Sequence, residues 1–274
     1  MAYGLLKGKK GLIFGALNDQ SIAWKAALKA HEEGAELVLT NTPVSIRLGT
    51  IDQLAQQTGA TVIPADATSV EDLDSLVKGC MEHFGGKFDF VLHSIGMSPN
   101  IRKNKPYQDT NYDFFCKTLD ISAVSFHKVL SNLYKNDALN EWGSVLALTY
   151  IAAQRTFVGY NDMADAKALL ESITRSFGAI YGKARKVRVN TISQSPTMTT
   201  AGSGIAGMQD MFTYADKMSP LGNASASDCA DYIVSMFSDL TKHVTMQNLY
   251  HDGGFSTTGL TADVIEAFTA GFSI

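Results

Sequence analysis

No run in this chain approaches the ~20 consecutive apolar residues of a membrane span, and residues 1–10 carry no apolar stretch of signal-peptide length. No membrane partner is expected, and a cytoplasmic location follows. Cysteine is scarce: Cys80, Cys116 and Cys229 are the only three in 274 residues. They are far apart, odd in number, and lack a CxxC pair or a histidine at ligand spacing, which excludes a disulfide scaffold and leaves no metal site to expect. They read as ordinary thiols of a reducing compartment. An excess of positive charge is missing as well. The 23 basic residues against 27 acidic ones give a formal charge of -4, so there is no broad cationic field for a nucleic-acid backbone. There is also no internal repeat, no low-complexity tract and no linker, and the turn after the first strand lacks the remaining glycines of G-x-G-x-x-G.

What is present is an apolar fraction of 45%, enough to bury the core of one large α/β domain over 1–274. Short apolar runs alternate with longer amphipathic stretches, as when parallel strands buried on both faces are joined by crossover helices. The runs predict seven strands, at 11–14, 36–40, 61–65, 88–94, 144–149, 187–193 and 246–251. Apolar residues recurring at three and four positions predict helices at 21–33, 50–57, 70–84, 112–134, 161–181 and 227–240. The expected fold is a Rossmann-like, doubly wound parallel sheet of about seven strands. Residues 195 to about 225, with Gly202, Gly204, Gly207 and Gly222, fit neither class; a segment of that length in a compact domain points to a functional loop.

In such a sheet, ligands sit at the carboxyl ends of strands where the order reverses, and the first strand-to-helix turn holds a pyrophosphate. That turn runs from Gly15 to Ser21-Ile22-Ala23. It offers one glycine, a hydroxyl and free N–H groups at a helix start, which favour an anion; the same residues would also serve as a turn glycine and an N-cap. Asp66-Ala67 follows the third strand, where the carboxylate can accept from an adenine amino group or cap the next helix. His93-Ser94-Ile95-Gly96 ends the fourth with residues small enough to admit a nucleotide. The second strand ends in Asn41-Thr42-Pro43-Val44, with neither the carboxylate suited to the ribose hydroxyls of NAD nor the arginine suited to the extra phosphate of NADP, and Arg47 lies further along. NAD(H) is preferred and NADP(H) stays open.

Tyr160 and Lys167, seven apart, return to one face at about 100° per residue if they open a helix. Tyr150 lies ten residues earlier, at the end of the fifth strand. An ammonium beside a phenol strengthens a charge-assisted hydrogen bond to an oxygen that becomes negative.

These residues together resemble the bacterial enoyl-acyl-carrier-protein reductases, a divergent branch of the short-chain dehydrogenase/reductase superfamily. The motifs are Gly15 with Ser21-Ile22-Ala23, His93-Ser94-Ile95-Gly96, the spacing Tyr150, Tyr160, Met163, Lys167, the strand Arg188-Val189-Asn190, Pro196 followed by Ser203-Gly204-Ile205, and Asp252-Gly253-Gly254-Phe255. They span nearly the whole chain. Most of the superfamily places tyrosine and lysine four apart; the seven-residue spacing is the enoyl reductases' own.

The resemblance implies a trans-2-enoyl thioester substrate delivered by acyl carrier protein, with Tyr160 donating to the thioester carbonyl and Lys167 holding the nicotinamide ribose. Tyr150 is an active-site residue with a less defined role. Cofactor contacts implied are Gly15, Ser21, Ile22, Asp66, Ala67, Ser94, Ile95, Gly96 and the stretch Thr197, Met198, Thr199, Thr200, Ala201, with Thr42 near the usual adenosine-contacting position. Ser98 and Met163 would lie against substrate, and Ile205, Met208, Met211 and Phe212 would cover the acyl chain, unless they form an ordinary helix stripe. A homotetramer using the long helices and residues 255–274 is likewise implied. One departure concerns the carrier: the family often has basic residues just after Ser-Gly-Ile, where this chain has Ala206, Gly207, Gln209 and Asp210.

Two other functions compete. A carbonyl reductase or alcohol dehydrogenase of the superfamily would want a tyrosine where Met163 stands and a serine near Ala147. A catalytically silent nucleotide-sensing module would have no need of both Tyr160 and Lys167.

Overall fold

The computed structural model describes residues 2–199 and 208–271. Seven strands, β1 (Lys10–Phe14), β2 (Glu36–Thr40), β3 (Thr61–Val62), β4 (Phe88–His93), β5 (Leu139–Thr149), β6 (Arg188–Gln194) and β7 (Asn248–His251), lie in the order β3-β2-β1-β4-β5-β6-β7. Every pairing is parallel. The chain builds outward from β1 on one side, then returns to lay β4 on the other, so the order reverses between β1 and β4. This is the doubly wound Rossmann arrangement, with its crevice expected at the reversal.

The helices are α1 (Ile22–Glu32), α2 (Pro43–Leu48), α3 (Ile51–Thr58), α4 (Val70–Phe84), α5 (Pro99–Arg102), α6 (Tyr112–Leu119), α7 (Ser125–Lys135), α8 (Asn161–Arg185), α9 (Met208–Met218), α10 (Ala226–Phe237) and α11 (Ala262–Gly271). Among the described residues, none is long and apolar enough to cross a membrane. Strand residues alternate between two core clusters, as a period of two on a sheet covered on both faces requires. Leu12, Phe14, Val91, Val145 and Ala147 join Leu76 of α4, Leu130 of α7 and Leu170 of α8. Ile13, Phe90, Leu92 and Leu146 join Ala23, Ala27 and Ala30 of α1 and Ile233 and Phe237 of α10.

The expected strands all form, but some ends move. The third shrinks from 61–65 to two paired residues because Pro64 has no N–H to give the ladder. The fifth starts earlier, at Leu139, across a register shift opposite Phe88 and Phe90. The helix expected at 112–134 is interrupted by a π-turn, Asp120–Val124, between α6 and α7. The 195–225 segment is not all loop: α9 forms inside it and buries Ala215 and Met218. The short α2 and α5 and the terminal α11 went unpredicted.

One strand residue is dictated by sterics. Phe90 stacks on Phe237, ring centroids 4.3 Å apart at 22°, and a Cβ on Gly11 would lie 2.0 Å from the Phe90 ring. Gly11→Ala should therefore overpack this layer and cost ~1–3 kcal/mol, read as a melting temperature lower by several degrees with activity intact. An unchanged melting temperature would show that the ring can yield.

Candidate active site

A crevice of about 800 Å³ opens at the carboxyl ends of the strands, over the reversal between β1 and β4. At its centre the exits of those strands nearly touch. Gly15 has φ +92°, and a Cβ there would meet the Ser94 carbonyl oxygen at 2.0 Å, so both the left-handed backbone and the close approach require glycine. Ser21 Oγ accepts from Leu17 N and Asn18 N and donates to Asn18 O. It thereby shapes the turn instead of capping α1, whose first turn has no side-chain cap. The uncapped N–H groups of that first turn and the positive end of the helix suit an anion, and Gly15, Ser21 and Ile22 line the crevice beside them.

Along the adenosine side, Thr42, Asp66 and Ala67 line the crevice as expected. Asp66 does not cap α4; Ser69 does, accepting from Asp72 N, while Asp66 Oδ1 accepts from Thr68 N and Oγ1. Thr42 is the N-cap of α2, accepting from Ser45 N. The crevice wall at the β2 exit is Thr40, Asn41, Thr42 and Ser45, and exposed Arg47 is not part of it.

At the other end, Ser94, Ile95, Gly96, Tyr150, Tyr160, Met163 and Lys167 meet. Tyr160 is the N-cap residue of α8, which carries Lys167 two turns further on. Lys167 is only 8% exposed and its Nζ donates to Leu148 O at 2.8 Å. Burial pushes its ammonium down to about 8, while the Glu171 carboxylate pulls the other way. Glu171, also buried, accepts from Thr149 Oγ1, Gln154 Nε2 and Asn248 Nδ2 at 3.0, 3.0 and 3.1 Å. Desolvation raises both phenols above the ordinary tyrosine range, so each is held as a hydrogen-bond donor. The Tyr150 and Tyr160 rings pack 5.2 Å apart at 49°. The Tyr150 hydroxyl donates to Met211 Sδ at 3.7 Å, tying the β5 exit to α9.

Behind this wall the π-turn and the first residue of α7 supply one hydroxyl each. Ser122 Oγ accepts from Met97 N and donates to Met97 O, clamping the loop that carries Ser94 to Gly96. Ser125 Oγ donates to Ile121 O at 2.7 Å, so it receives its contact with His93 Nε2, at 2.9 Å, as an acceptor. His93 is fully enclosed, and desolvation lowers its pKa to about 3; it is a neutral spacer, not an acid or base.

Not every expected contact converges. Ser98 is buried away from the crevice lining: it is the N-cap of α5, accepting from Ile101 N and donating to Asp162 Oδ1 at 2.6 Å. Thr197, Thr199 and Met211 line the crevice, whereas Met198 and Phe212 line an adjoining recess with Asn223. Thr200, Ala201 and Ile205 lie outside the described residues, as does the side chain of Met208. Five functional candidates were not foreseen. Gln194 and Thr40 line the crevice with Nε2 and Oγ1 buried and unpartnered; Arg102 and Lys117 stand on its wall; Glu171 balances Lys167. A polar residue closing an apolar strand, as in Thr40 and Gln194, was a visible signal.

The enoyl-(acyl carrier protein) reductase family model matches residues 15–256. The chain belongs to this family. Its members include enoyl-[acyl-carrier-protein] reductase [NADH] 2 of Rhizobium meliloti, 35% identical over 258 residues covering 94% of this chain and 95% of that protein. Among solved structures, the FabI–NADH complex from Alistipes finegoldii is 68% identical, with a TM-score of 0.94 over 95% of this chain and 92% of that one. The Bacillus cereus family member, solved with NADP+ and an indole naphthyridinone, is 30% identical with a TM-score of 0.87, covering 95% of this chain and all of that one.

The crevice suits the dinucleotide such family members carry. The first turn of α1 has no side-chain cap, which leaves its N–H groups open to an anion, and the orphaned Thr40 Oγ1 and Gln194 Nε2 are buried polar atoms that a polar ligand would satisfy. If Glu171 sustains the charge on Lys167, NMR of ε-13C-labelled lysine should find one lysine titrating near pH 8, and Glu171→Gln should move that midpoint lower, because the buried ammonium keeps its desolvation cost and loses the attraction of the carboxylate. An unmoved midpoint would exclude this coupling.

Proposed function

We propose that this enzyme reduces the carbon-carbon double bond of a trans-2-enoyl thioester in type II fatty acid biosynthesis, using NADH. The observation that carries the reading is the convergence of the Tyr160 phenol and the buried Lys167 ammonium on one crevice that also reaches the start of α1. Bound NADH supplies the hydride. Tyr160 donates to the thioester carbonyl oxygen while negative charge grows there; among the described residues no protein group hydrogen-bonds its hydroxyl, which leaves that donor free. Lys167 binds the nicotinamide ribose hydroxyls and lends its field to the phenol. Ser94, Ile95 and Gly96 form a close floor, with Lys167 Nζ and Met163 Cε each 3.8 Å from the Cβ position of Gly96. Tyr150 and Met211 shut one wall against water, and the proton completing the α-carbon comes from solvent.

NADH is favoured over NADPH by the β2 exit, where Thr42 and Ser45 bond each other and, among the described residues, the stretch of wall formed by Thr40, Asn41, Thr42 and Ser45 carries no cation. One catalytic domain over 1–274 and a cytoplasmic setting belong to the same proposal, supported by a single sheet between two cores and by three cysteines that are all free. So does a homotetramer, supported by Ile265 and Phe268 of α11, which are 49% and 67% exposed; sedimentation velocity tests it, and a monomer would overturn it.

The decisive assay follows NADH oxidation with crotonyl thioester, with acetoacetyl thioester and without acceptor. Oxidation with the enoyl substrate alone is expected; oxidation with the ketone would instead favour a carbonyl reductase, and binding without turnover a sensor. Tyr160→Phe should lower kcat by roughly 10²-fold, the scale for one lost oxyanion donor, with little change in NADH affinity, whereas Lys167→Ala should damage both. Equal NADH binding by wild type and Lys167→Ala would remove the role given to the lysine.

A further inference from the structure

An acyl carrier protein is acidic, and the segment after Ser203-Gly204-Ile205 offers it no cation: the residues there are Ala206, Gly207, Gln209 and an exposed Asp210. The cations of this chain stand elsewhere on the same crevice. Arg102, at the end of α5, and Lys117, on α6, are exposed and both line its wall. Two more exposed lysines extend that edge outward. Lys103 Nζ lies 4.4 Å from the centre of the Phe114 ring, one turn before Lys117 on α6. The Lys105 carbonyl accepts from Asn161 Nδ2 at 2.6 Å, which fixes Lys105 beside the residue that follows Tyr160. Two positive side chains therefore line the mouth, and Lys103 and Lys105 stand on the same α5–α6 edge beside it.

These charges are not consumed within the protein. Lys9, Lys29, Lys78, Lys87 and Lys128 each pair with a carboxylate, but among the described residues none of Arg102, Lys103, Lys105 and Lys117 has an ion-pair partner. The acids of the edge offset them only in part. Asp120 is held by Lys128 at 2.7 Å, Asp165 accepts from Tyr107 Oη, and Asp162 is buried beneath Ser98 and Asn100. Asp109 and Asp113 are exposed and, like Asp165, whose bond from the neutral Tyr107 hydroxyl leaves its charge in place, make no ion pair among the described residues. On a chain of net charge -4, unpaired cations gathered at the entrance of the catalytic crevice match an acidic partner whose cargo must enter there.

We infer that the acidic acyl carrier protein docks on the α5–α6 edge, its carboxylates meeting Lys103 and Lys105 with Arg102 and Lys117 at the threshold, and not on the segment after Ile205. This rests on the reductase reading above. The contacts are rim contacts in water, so they act on encounter and KM, weaken with salt, and leave chemistry on a carrier-free substrate alone.

The test compares crotonyl-acyl carrier protein with the crotonyl thioester of N-acetylcysteamine, which has neither carrier nor phosphate, in wild type and Lys103→Glu/Lys105→Glu. For the carrier substrate kcat/KM should fall about tenfold or more through KM at low salt, the gap closing at high salt; for the small thioester it should hold within about twofold. Lys135→Glu/Lys183→Glu, which reverses two exposed charges elsewhere, controls for net charge. Equal losses in the two double variants, equal losses on the two substrates, or no loss at all would each overturn the proposal. If wild type oxidised NADH with neither substrate, the reductase reading would fail by itself. Surface plasmon resonance with holo-acyl carrier protein would then still decide the docking site, equal affinity for wild type and Lys103→Glu/Lys105→Glu counting against it.

Discussion

An ammonium kept out of water is the constraint around which the crevice is organised. Lys167 loses most of its hydration, and a charge removed from water must be repaid by partners or be given up as a proton. The repayment comes from the Leu148 carbonyl and the Glu171 carboxylate. Glu171 can itself be buried only because β5, the turn after it and β7 each send it a donor. The catalytic charge thus fixes how β5 and the turn after it end and how β7 begins, and it ties the position of β7, at the sheet edge, to chemistry at its centre.

A second network sets the tyrosine. Asp162, two residues beyond Tyr160, is fully buried and accepts from Ser98, Asn100 and Thr118 at 2.6, 2.7 and 2.9 Å. A carboxylate in the first turn also suits the positive end of a 25-residue helix. The start of α8 is consequently bound to α5 and α6, the elements that form the cationic rim, so the donor of the reaction and the entrance to the site share one rigid frame.

Much of this was legible beforehand, and the limits have physical causes. Parallel strands buried on both faces write themselves as apolar runs, so all seven were visible, and Pro64 marked where the third had to stop. The seven-residue spacing of Tyr160 and Lys167 carried their common face through helical geometry alone. Ser98 was misread as a substrate contact although a serine followed by Pro99 is a helix-start signature, and capping is what it does. Helix α9 was hidden by the glycines before it, even with Met208, Met211, Ala215 and Met218 at helical spacing. Glu171 and Arg102 could not be found by local pattern, because each acquires meaning only from groups distant in sequence.

The π-turn between α6 and α7 has a further consequence. It adds one residue to a helix whose first half faces the crevice and whose second half, through Phe126, Val129 and Leu130, is wedged into the core. Deleting that residue would swing everything after it by about 100°, turning the wedge away from the sheet even as Ser122 let go of Met97. Insertions and deletions here are therefore barred by two independent penalties at once, and evolution can retune this stretch only by exchanging side chains, never by changing its length.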